Sequence, residues 1–377
     1  MLHIVADAAI PFLEEALAET VRLTYIPGNE ISRHHLMKAD ALIVRTRTRC
    51  NEQLLEGTPV QVIASATIGS DHIDAAYCAS RGIKWSAAPG CNAGAVRQYL
   101  ASALACIIKE EKTGFQELTL GVIGAGNIGS IVARMAEALG MRTLINDPPR
   151  EANEGPSGFS GLGDLLAGAD IISLHVPLTH DGPYSTHHLA GQSFFEKTKP
   201  GAWFINTSRG EVADTQAILN ALERNIISGA VIDVWEKEPH ISPELVNASS
   251  LATPHVAGYS VEGKANGSAM SVQTISRHFG LGLDQWHPRR LIPPKAPFIF
   301  LEDKPISKES LVARINLHAY NIHGDSAILK QAVKQFEKIR ENYVFRREPG
   351  AFKVTLGPAT IHHRQMIRQL GYGIAIR

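Results

Sequence analysis

The sequence predicts an α/β protein: two doubly wound parallel-sheet domains with a cleft between them, followed by a C-terminal region of different character. Three observations lead there. Short apolar runs alternate with amphipathic stretches through the first hundred residues, a long helical stretch interrupts them, and the same alternation then restarts. Strand, helix, strand at such spacing requires crossover connections and therefore parallel sheets.

Taken in order, His3–Asp7, Ala41–Arg45, Val60–Ala66 and Ile83–Ala87 read as strands, with helices over Pro11–Glu19, Ser32–Ala39 and Ile73–Arg81 between them. Val60–Ala66 is apolar almost throughout, as a strand covered on both faces must be. In Gly94–Lys112, Leu100, Leu104, Ile107 and Ile108 recur at helical spacing. Strands then follow at Leu118–Ile123, Arg142–Asn146, Asp170–Val176, Ala202–Asn206 and Gly229–Val234, and helices at Ile128–Leu139, Leu162–Leu166, Asp214–Glu223 and Val261–Phe279. The Gly-rich stretch 150–163 reads as a variable loop. Residues 284–297, with Pro288, Pro293, Pro294 and Pro297, read as a linker opening a third region rich in Lys, Arg and His.

Bulk properties exclude several classes. A chain of 377 residues exceeds one ordinary core. Lys+Arg and Asp+Glu both number 37, so the basic excess of a nucleic-acid binder is missing. The four cysteines form no CxxC pair and no zinc spacing with histidine, so no metal site is expected and reduced thiols in a cytoplasmic protein are. The N-terminus has no basic region preceding an apolar one, and no apolar run is long enough to span a bilayer.

The sharpest motif is LTLGVIGAGNIG at 118–129. Gly124, Gly126 and Gly129 form G-x-G-x-x-G directly after an apolar strand and at the start of a helix. The first glycine allows the tight turn, the second the approach of a pyrophosphate, and the third close helix–strand packing, while the helix N-terminus favours phosphate. Asp147 ends the next strand, where a carboxylate accepts ribose hydroxyls and repels a 2′-phosphate. The cofactor expected is NAD, on a Rossmann-like domain.

Three further segments end strands: FINTSRG at 204–210, VIDVWEKEP at 231–239 and TPHVAGYS at 253–260. Ligands bind beyond the carboxyl ends of parallel strands, so Arg209, Asp233, Glu238 and His255 would meet in one site. Oxidising a hydroxy acid needs a base for the hydroxyl proton, and imidazole is the side chain that ordinarily changes charge near neutrality. Glu238 would orient His255 and stabilise its cation, and Arg209 would grip the substrate's carboxylate or oxygen. Taken singly, each residue has a plainer role: a surface ion pair, a turn acid, a loop cap. Order and strand-end placement favour a catalytic set.

GVIGAGNIG, HVPLT at 175–179, NTSRG at 206–210, DVWEKEP at 233–239 and PHVAG at 254–258 resemble the D-2-hydroxyacid dehydrogenase family in order and spacing. The resemblance implies Arg209, Glu238 and His255 as catalytic residues. It implies NAD contacts from Gly124, Gly126, Asn127, Ile128, Gly129, Asp147, Val176, Thr207, Ser208, Arg209, Asp233 and Gly258. PGCNAGAV at 89–96, PHVAGYSVEGK at 254–264 and FEKIRENYVFRRE at 336–348 narrow the resemblance to a subfamily that oxidises a small phosphorylated hydroxy acid on the vitamin B6 route and dimerises through an added C-terminal α+β domain.

On that reading, residues 1–94 and 259–283 form the substrate-binding lid, 95–258 the NAD domain and 284–377 the dimerisation domain of a homodimer. Thr46, Thr67 and Tyr259 contact substrate by resemblance, and Arg45 and Arg47 of VRTRTR would meet its phosphate. A C-terminal domain could bring Arg346 and Arg347 to a substrate phosphate, but they read most simply as a solvated helix end. Two departures stand out: Arg97-Gln98 where relatives tend to carry an acid before Tyr99, and Val176 where a hydrogen-bonding Thr is common. The alternatives are another enzyme of the class, acting on phosphoglycerate or a simple hydroxy acid, and a non-catalytic NAD(H)-sensing corepressor-like protein, because fold alone does not settle function.

Overall fold

The structure, a computed structural model, describes residues 1–376. The chain divides into two compact units, Met1–Gly94 with Tyr259–Ile292 and Ala95–Gly258 with Pro293–Arg377. Both are built on parallel sheets.

The first unit holds β1 (His3–Asp7), β2 (Arg22–Ile26), β3 (Ala41–Val44), β4 (Val62–Ser65) and β5 (Lys84–Ser86), in the order β2-β1-β3-β4-β5. Side chains alternate across the sheet, so each strand feeds two apolar layers. Val5, Leu42, Val44 and Ile63 pack with Leu36, Leu54, Leu55 and Ile73. Ile4, Ala6, Ala41, Ile43, Val62 and Ala64 pack with Leu13, Leu17, Val272 and Ile275. The last two come from the helix Val261–Phe279, which lies close to β4: a Cβ on Gly267 would stand 2.4 Å from the Ala66 carbonyl oxygen. β2 escapes the sequence reading because it is an edge strand that alternates only weakly, with Arg22 and Tyr25 exposed.

The second unit holds β6 (Thr119–Ile123), β7 (Arg142–Asn146), β8 (Ile171–Leu174), β9 (Ala202–Asn206), β10 (Ile227–Ile232) and β11 (Leu251–Ala252), in the order β11-β10-β9-β8-β6-β7. The strand order reverses at β6, which lies between β7 and β8; the crevice at such a switch point is where parallel sheets bind ligands. The stretch read as a loop after β7 contains the helix Pro148–Glu154, capped by Asp147 through the Arg150 N–H.

Residues 293–377 belong to this second unit. They form β12 (Phe298–Phe300), β13 (Lys353–Leu356) and β14 (Gly373–Ile376), a parallel sheet with β13 in the middle, together with four helices that include Ile322–Gln331 and Phe336–Glu341. Leu311, Ile315, Val354 and Ile367 share one continuous core with Leu100, Leu104, Leu120 and Val132. The helix Ile322–Gln331 also covers the β11 edge: the Ser326 hydroxyl, 4% exposed, accepts the Ala252 N–H at 3.0 Å, and Lys330 Nζ donates to the Ser249 carbonyl. An uncovered edge strand presents unpaired N–H groups to other chains, and this contact removes one.

Ser326→Ala leaves the buried Ala252 N–H without an acceptor and is expected to destabilise the protein by about 1–3 kcal/mol. A shift of the urea midpoint at constant slope measures it, and an unchanged midpoint would dismiss the edge contact as a stabilising feature.

Candidate active site

The turn from β6 into the helix Gly129–Ala138 separates the duties of its glycines. Gly124 has φ +87°, in the left-handed region, and a Cβ there would stand 2.8 Å from Val176 Cγ1 and 2.9 Å from the His175 carbonyl. A Cβ on Gly129 would stand 1.9 Å from the Gly124 carbonyl oxygen. A Cβ on Gly126 would meet nothing within 4 Å, and Gly126 and Asn127 are exposed at the head of the helix. The turn thus packs inward at its ends and leaves its middle open to a group from outside.

Asp147 closes this corner. Its Oδ2 accepts the Ala125 N–H at 2.8 Å and its Oδ1 the Arg150 N–H at 3.1 Å, so each oxygen keeps acceptor capacity for a hydroxyl. Arg150 is itself engaged: Nε and Nη2 donate to Glu154 and Nη1 to the Ala125 carbonyl. At the end of β9, Asn206 Oδ1 accepts both the Ser208 N–H and its hydroxyl. The Thr207 hydroxyl is buried with no hydrogen-bond partner among the described residues. Beyond β8, His175 Nε2 lies 2.9 Å from the Ser173 hydroxyl while its buried Nδ1 has no partner among the described residues, and burial pushes the ring down to about 3, keeping it neutral. The open Gly126, the acidic corner and the orphaned Thr207 hydroxyl fit a bound dinucleotide.

Arg209, Glu238 and His255 come from the ends of β9, β10 and β11, which are adjacent in the sheet. The motif glycine after Arg209 makes this possible: a Cβ on Gly210 would stand 2.0 Å from the Trp235 carbonyl carbon and oxygen. The chain beyond Arg209 therefore lies directly on the segment leading to Glu238. His255 Nδ1 lies 2.8 Å from Glu238 Oε2 and 3.0 Å from Oε1, which makes Nδ1–H the donor and leaves Nε2 as the nitrogen that Glu238 does not engage. Oε1 also accepts the Trp235 N–H at 3.0 Å, and the Trp235 indole donates to the Thr253 carbonyl. Burial pushes the Glu238 carboxyl up, but the charge and hydrogen bond of His255, the Arg340 guanidinium and the Trp235 N–H outweigh it and hold the carboxyl below its ordinary range.

His255 has φ +58°, a strained backbone for a non-glycine residue. Asp233 holds it there. The Asp233 carbonyl accepts the His255 N–H at 2.7 Å, and its buried carboxylate accepts the Val256 and Ala257 N–H groups and the Thr253 hydroxyl, at 2.8, 2.9 and 2.6 Å. Behind Thr253 stands the Tyr99 hydroxyl at 2.7 Å. Burial pushes the Asp233 carboxyl up, and these donors together with His255 oppose it.

The residues read as substrate contacts lie in the first unit. Thr46 and Thr67 each follow their strand by two residues, and β3 and β4 are neighbours with Val44 opposite Ser65, so both threonines project from one carboxyl edge. Thr67 Oγ1 lies 2.9 Å from the Ser65 hydroxyl, and Thr46 and Arg47 are exposed. Tyr259 packs its ring under Lys264 Nζ at 4.6 Å. Arg45 is anchored on the buried Asp7 through Nε at 2.8 Å and Nη2 at 3.2 Å, which orients its guanidinium at the end of β3.

Arg346 is a correction. It is no solvated helix end but 9% exposed inside the second unit. Its neighbour Arg347 offers its carbonyl to Gln98 Nε2, while Gln98 Oε1 accepts from Arg346 Nε. An amide both donates and accepts here, which a carboxylate cannot do. That is a physical reason for glutamine rather than an acid at this position. Sequence reading missed Arg340, Arg346 and the Tyr99–Thr253–Asp233 chain, because burial of isolated polar residues leaves no periodic signal.

A family profile described as the NAD binding domain of D-isomer specific 2-hydroxyacid dehydrogenase matches residues 107–257. An erythronate-4-phosphate dehydrogenase of Bacteroides fragilis is 42% identical over 356 residues, 94% of this chain and 99% of the relative. One from Bacteroides thetaiotaomicron is 44% identical over the same shares, and one from Escherichia coli 38% identical over 95% of each chain. Among solved structures, a D-lactate dehydrogenase of Aquifex aeolicus complexed with NAD and lactic acid is similar at TM-score 0.62 and 27% identity, covering 75% of this chain and 97% of that one. The fold is also that of an Entamoeba histolytica 3-phosphoglycerate dehydrogenase with bound NAD+, at TM-score 0.64 and 23% identity, over 77% and 99%.

The two helix-head glycines are expected to behave differently. Gly129→Ala forces a methyl onto the Gly124 carbonyl and should lower stability by about 1–3 kcal/mol. Gly126→Ala should leave unfolding of the empty protein unchanged while weakening NAD binding by roughly tenfold or more, about 1.4 kcal/mol. Calorimetric titration beside thermal unfolding separates the two, and full NAD affinity in Gly126→Ala would remove the open turn as the pyrophosphate site.

Proposed function

The chain belongs to the erythronate-4-phosphate dehydrogenase family of NAD-dependent D-2-hydroxyacid dehydrogenases, and we propose from that premise that it oxidises 4-phospho-D-erythronate to (R)-3-hydroxy-2-oxo-4-phosphooxybutanoate in vitamin B6 biosynthesis. The observation that carries the chemistry is the pairing of His255 Nδ1 with both oxygens of Glu238. It fixes the tautomer in which Nε2 carries a lone pair. Nε2 takes the substrate hydroxyl proton, and the Glu238 carboxylate stabilises the imidazolium that results. Arg209 holds the substrate carboxylate and the oxygen on which the new carbonyl forms. Bound NAD supplies the acceptor for the hydride that leaves the same carbon. In the reverse direction His255 returns the proton.

The Gly124–Gly129 turn with Asn127 and Ile128 at the helix head, Asp147 as acceptor for ribose hydroxyls, and Val176, Thr207, Ser208, Arg209, Asp233 and Gly258 along the strand ends would hold the cofactor. Asp233 Oδ2 accepts only the Ala257 N–H among the described hydrogen bonds, so it keeps an acceptor position. Thr46, Thr67, Arg47 and Tyr259 serve the substrate's anionic ends from the substrate-binding domain, 1–94 and 259–283, and 95–258 serves as the NAD domain.

Residues 284–377 serve as the dimerisation domain of a homodimer. Support comes from β12, an edge strand whose Phe298 and Phe300 are 47% and 60% exposed with rings 6.2 Å apart. Exposed aromatic pairs on an edge strand are a feature of association surfaces.

The test is NADH formation at the nicotinamide absorbance with 4-phosphoerythronate, 3-phosphoglycerate and D-lactate in parallel. Selective turnover of the first is expected, and His255→Asn should lower it by about a hundred- to ten-thousandfold. Preference for another acid overturns the substrate, and turnover surviving in His255→Asn overturns the base. Phe300→Glu is expected to yield monomers in sedimentation velocity; an unchanged dimer would place the interface elsewhere.

A further inference from the structure

The segment 336–347 lies far along the chain from the candidate catalytic residues, yet inside the second unit it reaches Glu238 and the backbone that follows His255. Arg340, near the end of the helix Phe336–Glu341, places Nη1 3.9 Å from Glu238 Oε2. Arg346 uses all five of its N–H donors on buried acceptors. Nη1 donates to the Val256 carbonyl at 2.9 Å and to the Tyr343 hydroxyl at 3.2 Å. Nη2 donates to the carbonyls of Ala257 at 2.5 Å and Ala95 at 3.1 Å, and Nε to Gln98 Oε1 at 3.1 Å. Its guanidinium also lies 4.1 Å from the centre of the Tyr320 ring. Asp325, which accepts the hydroxyls of Tyr320 and Tyr343, supplies the negative charge of this cluster.

The geometry places one cation against Glu238 and another against the backbone just beyond His255. Val256 and Ala257 immediately follow His255; Asp233 takes their N–H groups and Arg346 takes their carbonyls. The Val256–Ala257 peptide unit, just beyond His255, is therefore held from both sides, its N–H by Asp233 and its carbonyl by Arg346. We infer that the C-terminal arm belongs to the catalytic centre, with Arg340 and Arg346 acting as positioning residues: Arg340 pairs with Glu238, and Arg346 clamps the backbone behind His255. The inference rests on the assignment of Glu238 and His255 given above, and adds that residues 336–347 are needed for turnover beyond any role in association.

The consequence for pH follows from the groups that face Glu238. These are His255 from the loop after β11 and Arg340 from the arm, while Asp233 faces His255 from the end of β10. His255 and Arg340 both hold the Glu238 carboxyl down against burial. Removing the Arg340 charge lets the carboxyl protonate at higher pH. A protonated Glu238 no longer draws the His255 Nδ1–H or stabilises the imidazolium, so the acidic limb of the oxidation profile moves toward neutrality.

The experiment compares Arg340→Gln, Arg340→Lys, Arg346→Lys and His255→Asn in the full-length protein. It follows 4-phosphoerythronate oxidation against pH, separates kcat from KM, and measures NAD dissociation by fluorescence without substrate. For Arg340→Gln the acidic limb of kcat/KM should rise by on the order of one pH unit, with NAD affinity and unfolding midpoint unchanged, and Arg340→Lys should restore the limb. Arg346→Lys keeps the charge but cannot span five acceptors, and kcat should fall by roughly tenfold or more while NAD affinity holds. If that variant does not fold, Gln98→Met, which removes one of the five bonds, replaces it, and a lower kcat at unchanged NAD affinity is again expected. Superimposable pH profiles for Arg340→Gln and the parent, or parental kcat in the Arg346 or Gln98 variant, overturn the inference. Turnover surviving in His255→Asn instead overturns the base assignment, so the two failures are told apart.

Discussion

The Asp233 carboxylate is the constraint on which the geometry of the candidate site hangs. It ends β10 and is 1% exposed, with three donors from the segment 253–257 converging on its two oxygens. Hydrogen bonds to a charged group contribute about 1.5–3 kcal/mol each, enough together to hold a left-handed histidine whose backbone costs about 1–3 kcal/mol. Without that anchor the loop after β11 has little reason to keep its shape, because β11 has only two residues, Leu251 and Ala252. A short edge strand and a strained loop persist because a buried charge, and not the sheet ladder, defines where the loop runs.

Positioning then passes outward by contact. β10 delivers Asp233 and, five residues on, Glu238; β9 delivers Arg209 through a glycine pressed onto Trp235. Trp235 ties the two loops together, its N–H to Glu238 and its indole to the Thr253 carbonyl. The acid–base pair is thus set by backbone and buried polar contacts rather than by mobile side chains. The C-terminal region adds a second layer to the same loop. Its helix Ile322–Gln331 covers the β11 edge, and Arg346 takes the carbonyls whose N–H groups Asp233 already holds.

Much of this was legible in the sequence, for reasons that also explain the rest. β6, β9 and the helix Val261–Phe279 carry strong periodicity or unbroken apolar runs, and their bounds agree with expectation to within a residue. Arg209, Glu238 and His255 stand out because three strand ends each offer a chemically competent group, and the fold makes those three strands neighbours. β2 and β11 do not, one because its edge position leaves a weak pattern and the other because two residues make no pattern at all. Arg346 escapes the sequence because an arginine there looks exposed, and only the fold shows that a row of carbonyls awaits it. Gln98 was visible as a departure, but its meaning depends on a contact 248 residues away.

The cofactor corner shows how far a local motif carries an argument. An acid at the end of β7 suggests a ribose partner, but a nearby cation would reverse the preference by offering a phosphate site. Arg150, three residues after Asp147, is such a cation by position. In the structure it makes a fork with Glu154 at 2.7 and 2.6 Å and donates to the Ala125 carbonyl. A 2′-phosphate would have to break that ion pair while facing the Asp147 carboxylate. A ribose hydroxyl needs only an acceptor, which both Asp147 oxygens still offer after binding the Ala125 and Arg150 N–H groups. NAD is therefore selected by where Arg150 is committed as much as by the presence of Asp147.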